Sequence, residues 1–344
     1  MNKIIVHYCG GAGLNIARDI NEQLSSLGDG FCQVESHYID TSLNNLGDLD
    51  ANNFWRIGSN KFSNNTIDGS GGERRTNNVA IVENMKSYLD EHNYTAEVIG
   101  EYHIVVFSGS GGTGSVVSPS LIANLRTRGI PVLGVMIGDS SNGLSCKNTL
   151  NTIATMDHIA KNAVKKPVSL VYYNNHTTKG KGSLSKERSV NESILNTLTV
   201  MSLFLSGKND DIDTKDMINF LSPDRYSTIQ IAPSVYCVNI YVNDETVNNP
   251  DTINLIGRTL SVPEQEADVK LTLLQHKYGK IVVQNAIDKV CEAAPIHMVL
   301  TGNCLVAEHA ALTETVAEYE AIMESLTTTN LGGTSDADDC GMIF

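Results

Sequence analysis

Hydrophobic positions in the first half of the chain follow two alternating periodicities. Ile4–Tyr8, Val34–Ile39, His103–Phe107, Val132–Ile137 and Val168–Tyr173 are short, rich in β-branched or aromatic residues, and mostly bounded by turn residues. They read as strands. Between them Leu14–Leu27, Val79–Glu91, Val116–Arg128 and Cys146–Val164 carry apolar residues at helical spacing. Strands that alternate with helices predict an α/β fold, a parallel sheet with helices on both faces. Ligands of such folds bind at the carboxyl ends of the strands.

A long helix is expected over Arg188–Leu205, where Val190, Ile194, Leu198, Met201 and Leu205 recur on one face. Beyond it Tyr226–Val242, Lys280–Gln284 and His297–Leu300 read as strands of a second, smaller unit, and a terminal helix is expected from about Ala307 to Leu326. The chain thus divides into a first domain over residues 1–187, a central helix over 188–206, a second domain over 207–326 and a tail over 327–344. The Gly-, Ser- and Asn-rich stretch Gly58–Asn78 is a long loop, and such loops are often functional.

Composition narrows the function classes. Of 344 residues, 41% are hydrophobic and 19% charged, as in ordinary globular proteins. No run approaches the roughly 18 apolar residues of a membrane span, and Ile4-Ile5-Val6 is too short for a signal-peptide core. Seven scattered cysteines without a CxxC pair suggest neither a zinc site nor a disulfide framework, which points to a reducing cytoplasm. A net charge of −14 argues against direct nucleic-acid binding. No Lys or Arg follows Lys289, whereas nine acidic residues do, from Glu292 to Asp339. That ending is either a solvated acidic surface or a segment that docks on a basic one.

Two glycine-rich turns carry the chemistry. Gly10-Gly11-Ala12-Gly13-Leu14-Asn15 follows the first strand and opens a helix. Glycine lets backbone approach a phosphate, and a helix N-terminus offers free N–H donors, although a purely structural turn fits that segment equally well. Ile16 stands where a GxGxxG dinucleotide motif needs glycine, and no GxxxxGK[ST] occurs anywhere. This disfavours a dinucleotide-dependent oxidoreductase. Ser108-Gly109-Ser110-Gly111-Gly112-Thr113-Gly114-Ser115 lies between an apolar strand and a helix. Converging amides there form a nest suited to a di- or triphosphate without any lysine.

Ser110–Val116 resembles the tubulin/FtsZ signature GGGTG[ST]G, with Ser110 and Val116 replacing the outer glycines, and Gly10–Asn15 resembles that superfamily's GGxGxN loop. The resemblance implies a tubulin/FtsZ-like fold, GTP or GDP as ligand with Mg²⁺, and hydrolysis at the interface of a head-to-tail homopolymer. It assigns Gly10, Gly11, Ala12, Gly13 and Asn15 to the first nucleotide loop, and Asp40 to the second. Gly71, Gly72, Glu73 and Arg74 fall in the γ-phosphate-sensing third loop, and Gly109, Ser110, Gly111, Gly112, Thr113, Gly114 and Ser115 in the fourth. Asn174 matches a sugar- and base-contacting position and Asn191 a guanine-reading one. The loop Gly138–Asn148 departs from the superfamily pattern, leaving Lys147 and Asn148 unassigned. Asp211-Ile212-Asp213-Thr214-Lys215-Asp216 retains the DxxD pair of the catalytic loop, which assigns Asp213 and Asp216 to catalysis.

The compact length and acidic ending are most similar to the bacteriophage tubulins, with plasmid-segregating and division proteins as the alternatives. Phage tubulins form dynamic filaments that centre phage DNA in the host cytoplasm. By that resemblance the tail docks on a neighbouring subunit, with Lys161, Lys165, Lys166, Lys179 and Lys181 as candidate acceptors.

Overall fold

The strand-forming runs assemble into one sheet because most are apolar on both faces, as strands of a buried parallel sheet must be. The computed structural model describes residues 3–28, 31–57, 68–95, 101–175, 183–206, 222, 224, 232–242, 255–259, 274–275, 296–302 and 305–329. Among them are β1 (Lys3–Cys9), β2 (Gln33–Asp40), β3 (Phe54–Arg56), β4 (Glu101–Ser108), β5 (Val132–Gly138) and β6 (Val168–Asn174). Then come β7 (Val235–Val242), β8 (Leu255–Thr259), β9 (Leu274–Gln275) and β10 (Ile296–Gly302). The order is β3-β2-β1-β4-β5-β6-β7-β10-β8-β9. The strands from β3 to β7 are parallel, and β10 joins antiparallel between β7 and β8.

Period-two alternation divides the core. Ile4, Val6 and Tyr8 of β1 with Tyr102, Ile104 and Val106 of β4 face helices α1 (Gly10–Ser25) and α5 (Ser183–Leu205). Ile5, Cys9, Val105 and Phe107 face α2 (Asn78–Glu91), α3 (Gly114–Thr127), α4 (Gly143–His158) and the terminal helix α6 (Val306–Thr329). The α/β expectation holds. Strands β3, β8 and β9 were not foreseen, and α5 starts at Ser183 rather than Arg188. The segment expected as one helix to Val164 ends its α-helical part at His158 and continues as a π-helical turn, Ile159–Val164. The expected strand Lys280–Gln284 lies outside the described residues. Cys237 on β7 is disulfide-bonded, against the expectation of a chain without disulfides.

The same alternation gathers histidines. His7 lies opposite His37 across β1 and β2, and its Nε2 is 2.9 Å from Nδ1 of His103. Its Nδ1 is 2.8 Å from the Tyr88 hydroxyl on α2. His92 and Tyr94 close over the group, and Glu35 holds His37 at 2.6 Å. Burial first, then the neighbouring imidazoles, holds His7 well below the ordinary histidine range. Burial likewise brings His103 down to about 3. Both rings are therefore neutral when folded, whereas the unfolded chain takes up protons near pH 6.5. Their contribution is intact above that pH and declines as pH falls from it toward the folded values. Unfolding free energy is expected to be lower at pH 5.5 than at pH 7.5 by about 1–3 kcal/mol. Urea titrations at the two pH values check this, and a flat profile would contradict it.

Candidate functional site

The parallel order reverses direction between β1 and β4. From β1 the chain proceeds to β2 on one side, and from β4 to β5 on the other. Such a switch point opens a crevice at the carboxyl ends of the strands, because the helices that follow depart to opposite faces. Here α1 leaves β1 at Gly10 and α3 follows β4 at Gly114. Both glycine-rich turns therefore lie at this one crevice.

Their packing explains the glycines. Gly10 has φ +74°, and a Cβ on it would stand 2.6 Å from the Gly114 nitrogen. A Cβ on Gly114 would stand 2.8 Å from the Cys9 carbonyl oxygen. The two turns touch backbone to backbone. Neither α1 nor α3 has a side-chain cap at its N-terminus, and neither carries an acidic residue in its first turn. Helix α4, by contrast, is capped by Asn142, whose side chain accepts from the Ser145 N–H. Two helix N-termini without side-chain caps, meeting at one point, form a cradle for anionic oxygens.

The second loop supports this pair from one side. Asp40 is buried at the end of β2, accepting from the Thr41 N–H at 2.6 Å and from the Asn45 amide at 2.7 Å. Burial raises its pKa, while those hydrogen bonds oppose the rise. Asn45 also lies where a Cβ on Gly11 would meet it at 3.0 Å. The Thr41 and Thr113 hydroxyls are 2.9 Å apart, joining the second loop to the fourth. Asp40 thus acts on the mouth through Asn45 and Thr41.

The third loop covers the other side. A Cβ on Gly112 would lie 2.2 Å from Ser70 Oγ and 2.9 Å from the Glu73 nitrogen. Asp68 ties the start of the loop to Arg56 at 2.9 Å. Arg74 ties its end, donating to the Ser115 carbonyl at 2.9 Å and to the hydroxyls of Thr152 and Thr155 on α4. Burial lowers the Arg74 pKa to about 10. Its guanidinium points into the α3–α4 junction, whereas Glu73, Gly71 and Ala12 are exposed around the crevice. Asn15 is exposed on α1 and accepts from Arg18.

Asn174 and Asn191 stand apart from these loops. Asn174 donates to Glu308 of α6 at 2.6 Å, as does Tyr172 at 2.7 Å. Asn191 donates to Asp19 at 2.7 Å, about two and a half turns along α1 from Gly10. Asp213 and Asp216 lie outside the described residues. Sequence reading missed Asn45, Thr41, Asn148 and Thr152. For the last two a signal existed, since Asn148, Thr152 and Thr155 form a polar stripe at helical spacing on α4. Among the described residues no three His, Cys, Asp or Glu side chains gather as a metal site, and no helix is long and apolar enough to cross a membrane.

A solved structure of the phage tubulin PhuZ with GDP matches this architecture with a TM-score of 0.73 at 20% identity, covering 98% of this chain and 96% of that one. The chain has the tubulin/FtsZ fold. A PhuZ201 filament structure shares this fold at a TM-score of 0.70 and 20% identity, with 99% of both chains covered. In sequence, a phage tubulin-like protein of Pseudomonas phage phiKZ is 26% identical over 226 residues, 63% of this chain and 62% of that protein. A phage tubulin-like protein of Pseudomonas phage 201phi2-1 is 21% identical over 345 residues, 99% of each. No family model matches the chain. The crevice is lined by the segments Gly10–Asn15, Asp40–Asn45, Gly69–Arg74 and Gly109–Ser115.

Proposed function

We propose that the chain binds GTP in this crevice, hydrolyses it, and assembles head to tail into filaments. The observation that carries the reading is the contact of Gly10 with Gly114, which joins two helix N-termini without side-chain caps at the switch point. The amides of Gly10–Gly13 and Gly109–Ser115 hold the phosphates, with loop 69–73 over them. Related proteins named as a GDP-bound phage tubulin and as a filament support guanine nucleotide and self-assembly. Mg²⁺ accompanies the triphosphate and offsets its charge. Such an ion is held mainly by phosphate oxygens and water.

Asp213 and Asp216, three residues apart, share one face if their segment is helical. Supplied by the next protomer, they orient the attacking water, since phosphoryl transfer depends chiefly on positioning and charge stabilisation. Hydrolysis then requires a heterologous contact, the kind that propagates into an open filament. The two curated relatives are phage proteins. This supports a filament that positions phage DNA within the host cytoplasm, with no direct hold on the nucleic acid. Electron microscopy with GTP against GDP, alongside phosphate release, tests the reading. Filaments are expected with GTP, with turnover per subunit rising with protein concentration; GTP-independent assembly, or turnover constant at all concentrations, would overturn it.

The acidic tail fits the same polarity. Helix α6 runs antiparallel to α4, from Leu305 beside Ile153 to Tyr319 beside Ser141 at the carboxyl edge. Its last turns expose Ile322, Met323 and Leu326. Lys161 and Lys165 are exposed at the opposite edge, before β6 begins; Lys179 and Lys181 lie outside the described residues. In a head-to-tail stack, the tail of one subunit faces the lysine edge of the next. Removing residues 336–344 is expected to raise the critical concentration about two- to tenfold, more at low salt than at high. Sedimentation across a salt series checks it, and unchanged assembly at every salt concentration counts against docking.

A further inference from the structure

Asn148, in the second turn of α4, is 5% exposed, and its amide nitrogen donates to two carbonyls of different loops. Gly72 of the third loop accepts at 2.8 Å, and Ser110 of the fourth at 2.9 Å. One NH₂ group has two hydrogens, so both bonds form at once. Around this bridge α4 makes further attachments. The Thr152 hydroxyl lies 2.8 Å from the Gly109 carbonyl and accepts from Arg74.

The third loop needs such an anchor. Gly69, Gly71 and Gly72 all have positive φ, at +79°, +59° and +83°, and glycine-rich backbone has the most conformational freedom to lose. The fourth loop gains an orientation. In a trans peptide the carbonyl and the following N–H point to opposite sides. Holding the Ser110 carbonyl against α4 therefore turns the Gly111 N–H away from it.

We propose that Asn148 is a positioning residue that clamps the third loop onto the fourth and thereby sets the preference for a nucleoside triphosphate over the diphosphate. The clamp stands on the two contacts of Asn148; the preference rests on the nucleotide reading given above. A triphosphate reaches beyond the fourth loop and gains from a third loop already in place, whereas a diphosphate gains little.

The test uses Asn148→Ala and Asn148→Asp in the full chain, below the concentration for assembly. Hydrogen exchange at residues 70–73 is measured without nucleotide, and binding of fluorescent GTP and GDP by titration. Exchange is expected to rise about tenfold in both variants. GTP affinity should fall about tenfold and GDP affinity stay within about twofold, as loss of one or two hydrogen bonds implies. Wild-type exchange with a wild-type GTP-to-GDP ratio would overturn the clamp. Equal losses for both nucleotides would overturn the discriminating role and leave a purely structural one. Should Asn148→Ala not fold, Asn148→Asp keeps the side chain's size while removing the donors and decides the matter. If the unaltered chain binds neither nucleotide, the nucleotide reading and its preference fail, and the exchange result alone decides the clamp.

Discussion

Gly10→Ala is expected to abolish nucleotide binding at micromolar concentrations and to destabilise the fold by about 2–5 kcal/mol. Two costs add. At φ +74° a residue with a Cβ pays roughly 1–2 kcal/mol to enter the left-handed region. The new methyl would also lie 2.6 Å and 2.9 Å from the nitrogen and Cα of Gly114. These are backbone atoms at the start of a helix, not the end of a flexible side chain, and overpacking of that kind costs about 1–3 kcal/mol. Relief requires the two helix N-termini to separate, which opens the cradle. Gly111→Ala is the control inside the same loop. Its Cβ meets nothing within 4 Å and its φ lies outside the left-handed range, so stability should stay within about 0.5 kcal/mol. Urea unfolding and titration with a fluorescent GTP analogue separate the two variants. If Gly10→Ala binds as tightly as Gly111→Ala, the meeting of α1 and α3 is not the phosphate cradle.

The strands were legible because parallel strands buried on both faces must be apolar almost throughout. Those that escaped are short or broken: β3 is three half-buried residues at one sheet edge and β9 two residues at the other, too short for a periodicity to register, while Gly257 and Arg258 interrupt the apolar run of β8. The early start of α5 was hidden by its composition, since Ser183–Arg188 contains one apolar residue, Leu184. The π-helical turn after α4 keeps helical spacing of its apolar residues and so read as more helix. At the site, glycines and hydroxyls announced the first and fourth loops because backbone chemistry there demands particular residue types. Side-chain amides carry no such announcement. Asn148 holds two loops, Asn174 meets Glu308 and Asn191 meets Asp19. Each is one asparagine in a sequence with many, and its partner is set by tertiary contact. The histidine cluster has the same origin. His7, His37 and His103 are about 30 and 66 residues apart, and strand register alone puts them on one face.

Asp216→Ala, and separately Asp213→Ala, should leave GTP binding at wild-type affinity while slowing turnover about 10²- to 10⁴-fold, the range for losing a group that positions or deprotonates a nucleophile. Filaments of either variant are expected to be longer-lived, because hydrolysis no longer weakens the contacts that the triphosphate supports. The loops from Gly10 to Ser115 gather in one crevice of one subunit, where Glu73 is exposed on the third loop. Asp40, the one buried carboxylate there, is already held by Asn45 and Thr41. The proposal places the catalytic acids on the next protomer, and a mixing experiment tests that source. Asp216→Ala subunits contribute an intact cradle, and subunits that fold but cannot bind nucleotide contribute an intact Asp216. Neither turns over GTP alone. If the acids act across the contact, the mixture should recover activity, rising with the concentration of either partner. If they act within their own subunit, it should stay inactive at every ratio.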